Sequence, residues 1–263
     1  MTVKLSSSGF THTGAVREHN EDAFLALPEI GLWVVADGMG GHEAGDVASQ
    51  LVCDTVTSQH HKQGGALAVA ELEEAFELAN QRILQYVETQ LPGATMGSTM
   101  AALRISDARY QVLWIGDSRV YLLRQGQLRQ LSRDHSQVAD LVDQGVLAED
   151  EAEKHPLANV ITRALGVEAT PAIDLVEGEV RAGDRFFLCS DGISREFGAE
   201  ELTTLLRGEP IDDVNMALRH SALVKGCKDN ITSIIVQVEA AHAMNELGDP
   251  QDDATLPLGL GNL

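Results

Sequence analysis

A chain of 263 residues that is 44% hydrophobic can bury a substantial core, as one large domain or two small ones. Its 40 acidic residues against 19 basic ones give a formal charge of −21, which repels a phosphate backbone and argues against nucleic acid as a partner. Neither a secretory apolar core nor the roughly 20 apolar residues of a membrane helix occurs, and Cys53, Cys189 and Cys227 form neither a paired C-x-x-C motif nor a disulfide framework. A cytoplasmic chain with no membrane partner is the expectation.

Taken in chain order, apolar and β-branched residues bounded by turn formers predict a first strand over 32–36. Apolar residues recurring three and four apart predict helices over 44–59 and 67–89. Strands follow over 110–115 and 120–124, and the four residues Gly116-Asp117-Ser118-Arg119 between them suggest a tight antiparallel hairpin. Gln125-Gly126 supplies another turn. The run 110–115 is apolar almost throughout, as expected of a strand covered on both faces.

The stretch 136–166 holds short helical fragments, an acidic run over 149–153 and Pro156; it is either a mobile insertion over a site or a surface helical hairpin. A strand over 185–189, a helix over 212–225 with Asp212 as its N-cap, and a final strand over 231–238 complete the pattern. Helices lying between groups of antiparallel strands argue for sheets packed together with helices outside, an α+β arrangement. Beyond Glu239 the composition turns acidic and rich in turn formers, so 241–263 is expected to be a disordered tail.

The chemistry gathers where aspartates end apolar strands beside Gly or Asn: Asp37-Gly38, Gly116-Asp117, Asp191-Gly192 and Asp229-Asn230. A lone Asp-Gly is a turn. Four such places, joined by Glu21-Asp22, would repel one another at a common rim unless cations held them. Oxygen donors without a His or Cys pair favour Mg²⁺ or Mn²⁺. Two such ions about 3.5–4 Å apart activate a water for in-line attack on phosphorus. Arg17 supplies a positive clamp for a phosphate ester, and His42 or His135 is a proton donor or a structural hydrogen-bonding residue. Gly38-Met39-Gly40-Gly41 lacks the Lys-Ser/Thr ending of a P-loop, which makes nucleotide binding a weak reading.

The order of the motifs Arg17-Glu18-His19-Asn20-Glu21-Asp22, Ala36-Asp37-Gly38-Met39-Gly40-Gly41-His42, Gly97-Ser98-Thr99, Gly116-Asp117-Ser118-Arg119, Ser132-Arg133-Asp134-His135-Ser136, Ser190-Asp191-Gly192 and Lys228-Asp229-Asn230-Ile231-Thr232 resembles the PP2C family of metal-dependent protein phosphatases, in its compact bacterial form, over about residues 9–239. The resemblance implies a four-layer αββα sandwich over 1–240, two central antiparallel sheets flanked by helices, with 136–166 as a substrate-facing flap. It implies two Mn²⁺ or Mg²⁺ ions, with Asp37 shared between them and Asp191 and Asp229 completing the first site. Glu21 or Asp22, with the Gly38 carbonyl, would serve the second, and Asp117 a third, weaker one.

In the same comparison Arg17 matches the phosphate-binding arginine. Met39 stands where the eukaryotic branch has a histidine proposed as general acid, which leaves His42 or a water as donor. Hydrolysis of phosphoserine and phosphothreonine in proteins is the implied activity, by a monomer opposing a bacterial Hanks-type kinase. The alternatives are a regulatory pseudophosphatase that binds phosphoproteins and a phosphatase of small esters.

Overall fold

The computed structural model describes residues 3–40, 44–152 and 155–240; His42 and the tail 241–263 lie outside the described residues. Numbered in chain order, the strands of one sheet are β2 (Asp22–Leu27), β3 (Leu32–Gly40), β5 (Met100–Ser106), β6 (Arg109–Ile115) and β9 (Asp174–Glu179), side by side, with β4 (Met96–Ser98) paired to the end of β3. The other sheet runs β1 (Val3–His12), β11 (Ile231–Ala240), β10 (Arg185–Cys189), β7 (Arg119–Arg124), β8 (Gln127–Gln130). All these pairings are antiparallel.

The apolar runs become strands because both their faces are covered. In β3, Val34 and Ala36 turn to α1 (Gly45–Gln63) and α2 (Val69–Gln90), meeting Val52, Phe76 and Ile83, while Trp33 and Val35 turn to the second sheet. In β10, Phe186 and Leu188 meet Trp33 and Val35 between the sheets, whereas Phe187 packs with Leu202 and Leu218 of α6 (Ala199–Leu205) and α7 (Ile211–Lys225). The result is the four-layer αββα sandwich expected. Each fully buried Leu, Ile or Phe contributes about 1.5–3 kcal/mol.

Two local expectations are corrected. β6 and β7 form no hairpin: β6 pairs with β5 and β9, β7 with β10 and β8, and the short link carries the chain from one sheet to the other. Gly116, at φ +101, makes that step possible, since a Cβ there would press on Thr99. The hairpin instead lies between β7 and β8, through Gln125 and Gly126, whose positive φ values match a type I′ turn. Asp212 is not the N-cap of α7; Pro210 is, in an extended conformation, and Asp212 sits in the first turn where the helix dipole favours a carboxylate.

The described residues of the stretch 136–166 fold as α3 (Gln137–Asp143), α4 (Glu149–Ala152) and turns. Its far end is tied down where Ser98 and Leu165 exchange backbone hydrogen bonds of 3.0 and 2.9 Å, and where Asn80 accepts from the Gly166 N–H at 2.6 Å. Among the described residues no helix is long and apolar enough to cross a membrane.

Candidate active site

The topology brings the acidic strand ends to one rim. Asp22 and Asp37 are direct cross-strand partners in the β2–β3 pair. Asp37 is partly exposed and held by its backbone: its N–H donates to Thr99 Oγ1 at 3.1 Å, and its carbonyl accepts from the Thr99 N–H at 2.8 Å and the Ser98 hydroxyl at 3.1 Å. Thr99 is braced in turn by Ser118 at 2.7 Å, so Gly97-Ser98-Thr99 is a mount for Asp37.

Asp117 follows the Gly116 turn, Asp191 opens α5 (Asp191–Ser194), and Asp229 precedes β11. Asn230 ties this last corner to the N-terminal segment: its side chain donates to the Thr13 and His19 carbonyls at 3.1 and 2.9 Å and accepts from the Glu21 N–H at 2.8 Å.

These carboxylates disturb one another. Desolvation pushes Asp37 well above the usual carboxylate range, and Asp22, Asp191, Asp117 and Asp229 add to the effect. Asp22 is pushed up to about 7 by burial, against hydrogen bonds from Thr232 at 2.6 Å and Ser190 at 2.8 Å to its Oδ2. Its Oδ1 is buried with no partner. Burial also raises Asp117 to about 7, with Asp191 adding and Arg195 opposing. Asp191 is raised by burial, again against Arg195, with Asp229 adding to the effect.

An all-oxygen set whose members resist ionising together fits hard divalent cations, and the orphaned Asp22 Oδ1 is an unspent donor of the kind such ions use. Glu21 lies on the same rim: its Oε1 accepts from the Gly45 N–H at 3.2 Å and its carbonyl from the Gly38 N–H at 3.0 Å. Among the described residues, no three acidic, histidine or cysteine side chains are gathered tightly enough to hold one ion as they stand. Two arginines pair with these acids. Arg17 lies 2.9 Å from Asp229 Oδ1 and 3.0 Å from Oδ2, and Arg195 reaches Asp191 at 2.5 Å and Asp117 at 2.9 Å. Arg17 is half exposed, and its hydrogen bond to Asp229 raises its pKa, which keeps it a fixed positive charge at the rim.

Of the expected site residues, Arg17, Glu21, Asp22, Asp37, Gly38, Asp117, Asp191 and Asp229 are brought to this rim. His135 is a strut: its Nδ1 accepts from the Gly116 N–H at 3.1 Å, its Nε2 lies 3.3 Å from Asp174, and its carbonyl accepts from the Thr162 N–H at 2.8 Å. Burial lowers its pKa, consistent with a neutral ring bracing the Gly116 link against 136–166. Arg195 was not anticipated; its i,i+4 spacing from Asp191 on an α5 turn is the signal that finds it. Beside the carboxylates a cavity of about 460 Å³ opens, lined by Asp117, Asp191 and Arg195 on one side and by Val138, Ala139 and Val142 of α3 on the other.

Comparison with known proteins agrees with this geometry. The family model described as protein phosphatase 2C matches residues 11–220. The serine/threonine protein phosphatase PstP of Mycobacterium tuberculosis is 37% identical over 239 residues, covering 90% of the chain, which spans only 46% of that protein's length. The serine/threonine phosphatase stp of Listeria innocua is 34% identical over 236 residues, covering 86% of the chain and 93% of the relative. A solved structure of the PstP catalytic domain in complex with two manganese ions superposes with a TM-score of 0.81 at 37% identity, covering 91% of this chain and all of that one. With its motifs in order, its αββα layers in place and its acidic strand ends at one rim, this chain belongs to the protein phosphatase 2C family.

Proposed function

We propose that the chain is a metal-dependent phosphatase of phosphoserine and phosphothreonine in proteins. The observation that carries this reading is the meeting of Asp22, Asp37, Asp117, Asp191 and Asp229 at a rim that also carries Arg17. Asp37, Asp191 and Asp229 would hold one Mn²⁺ or Mg²⁺ ion, and Asp37, Glu21 or Asp22 and the Gly38 carbonyl a second. When bound, such a pair would supply Lewis-acid charge and would lower the pKa of a water so that, having lost a proton, it can act as the nucleophile toward phosphorus.

The chain's own residues do the remaining work. The half-exposed Arg17 fork offers N–H donors to the phosphoryl oxygens, a geometry in which planar guanidinium surpasses ammonium. Asp229, which holds Arg17, orients it toward the rim. Met39 has no proton to give the departing serine or threonine alkoxide, so that proton comes from water or from His42. The stretch 136–166, whose α3 walls the cavity beside Asp117 and Asp191, is placed to meet the protein carrying the phosphate and is read as the flap of a domain covering 1–240. The same reading sets the chain against a Hanks-type kinase, as a cytoplasmic monomer.

The test is phosphate release from a phosphothreonine peptide with Mn²⁺ and then with excess chelator. Turnover should require the ion. Arg17→Ala should raise KM by about 10-fold or more, the worth of one charge-assisted hydrogen bond, while calorimetry shows Mn²⁺ bound as in the parent. An unchanged KM would put Arg17 out of the substrate's reach. Turnover of small aryl phosphates but of no phosphopeptide would remove proteins as the substrate class.

A further inference from the structure

We propose that the Arg195 guanidinium, bridging Asp117 and Asp191, is a built-in cation that stands in for the third, weaker metal ion the family resemblance implies at Asp117, so that this chain works with two ions. The inference rests on the two-ion reading above. Two separate nitrogens of Arg195 each engage one carboxylate: one lies 2.5 Å from Asp191 Oδ2, the other 2.9 Å from Asp117 Oδ2. Asp117 is 6% exposed and follows the Gly116 turn, and Asp191 opens α5, so the fold sets both acids beside Arg195.

Arg195 is itself anchored, because it closes α5 with its backbone N–H donating to the Asp191 carbonyl at 2.9 Å. A rigid planar fork held at its root one helical turn after one acid, with the second acid across from it, is a bridge built by the fold. A third dication between Asp117 and Asp191 would have to expel this guanidinium or sit against its charge.

The chemistry also differs from that of an ion. A guanidinium brings one permanent positive charge and no exchangeable water ligands, so it lowers the repulsion between Asp117 and the remaining acids without offering a Lewis-acid centre. Its solvent-facing third borders the cavity beside α3.

The experiment is Mn²⁺ stoichiometry of the full chain by titration calorimetry, with free Mn²⁺ followed by paramagnetic resonance. The parent should bind two ions and Asp117→Asn should also bind two. Arg195→Ala should gain a third, weaker site, and the double variant Arg195→Ala/Asp117→Asn should lose it again. Thermal melting checks that Arg195→Ala is folded; should it not be, Arg195→Gln keeps the side chain's bulk without its charge and is expected to gain the same site. Three ions in the parent, falling to two in Asp117→Asn, would overturn the inference and leave the two-ion reading standing, as would two ions in a folded Arg195→Ala or Arg195→Gln. No bound ion in the parent would overturn both.

Discussion

Asp37→Asn is expected to lose turnover by well over about 100-fold, because even an outer partner of a metal ligand costs 10–100-fold in affinity or activity, and Asp37 stands among all the other acids. Its position is fixed through its backbone, by Thr99 and Ser98, and those hydrogen bonds survive in asparagine. The substitution therefore removes charge at the centre of the cluster while leaving the β3 end in place. Calorimetry should show at least one of the two Mn²⁺ ions lost. With excess chelator, by contrast, the variant should melt at a higher temperature than the parent, since one of five mutually repelling carboxylates is gone while the backbone bonds that place β3 are kept. Parent-like Mn²⁺ content together with parent-like turnover would remove Asp37 from the site.

What was legible in the sequence follows from what each residue needs. The strand 185–189 is read to the residue because, after Arg185, the run Phe186-Phe187-Leu188-Cys189 is apolar on both faces, which suits a strand covered on both sides. The rim of aspartates is readable for the same reason: an acid at the end of a doubly covered strand has only the sheet's edge to occupy. β1, by contrast, passes through Ser6-Ser7-Ser8-Gly9, and it is a strand because it pairs with β11 from Val3↔Ala240 to His12↔Ile231, a partner more than 200 positions away that no local pattern announces.

The hairpin expected between β6 and β7 fails on a related point. Four turn residues fit a crossover between packed sheets as well as a hairpin, and the distinction lies in which neighbours β5, β9 and β10 each strand finds. His135 had equal claims from sequence as donor or strut; its two ring nitrogens face Gly116 and Asp174 only once 136–166 has folded back. Arg195 belongs to neither strand nor loop motif, and its role appears only when Asp117, from the other sheet's connection, arrives across from Asp191.

Gly38→Ala is expected to damage fold and site together. A Cβ on Gly38 would fall well inside contact distance of the Gly45 carbonyl oxygen and lie 2.7 Å from the Glu21 carbonyl oxygen. Both are backbone atoms, so no side chain can swing aside. Three pieces meet here: the end of β3, the first residue of α1 and the residue before β2, held together by the Gly38 N–H to Glu21 carbonyl bond and the Gly45 N–H to Glu21 Oε1 bond. A methyl group forces α1 away from β3 or Glu21 away from the rim.

Overpacking of this kind costs about 1–3 kcal/mol or more, and a domain of this size loses about 2–4 °C per kcal/mol, so a melting temperature lower by on the order of 5 °C is expected. Mn²⁺ affinity should fall with it, because Glu21 and the Gly38 carbonyl shift relative to Asp37. Gly65→Ala is the control: nothing lies within 4 Å of its Cβ position, and melting and Mn²⁺ binding should stay as in the parent. If Gly38→Ala melts with Gly65→Ala and binds Mn²⁺ as the parent does, the close approach of α1 to β3 is not what holds the second ion's ligands in place.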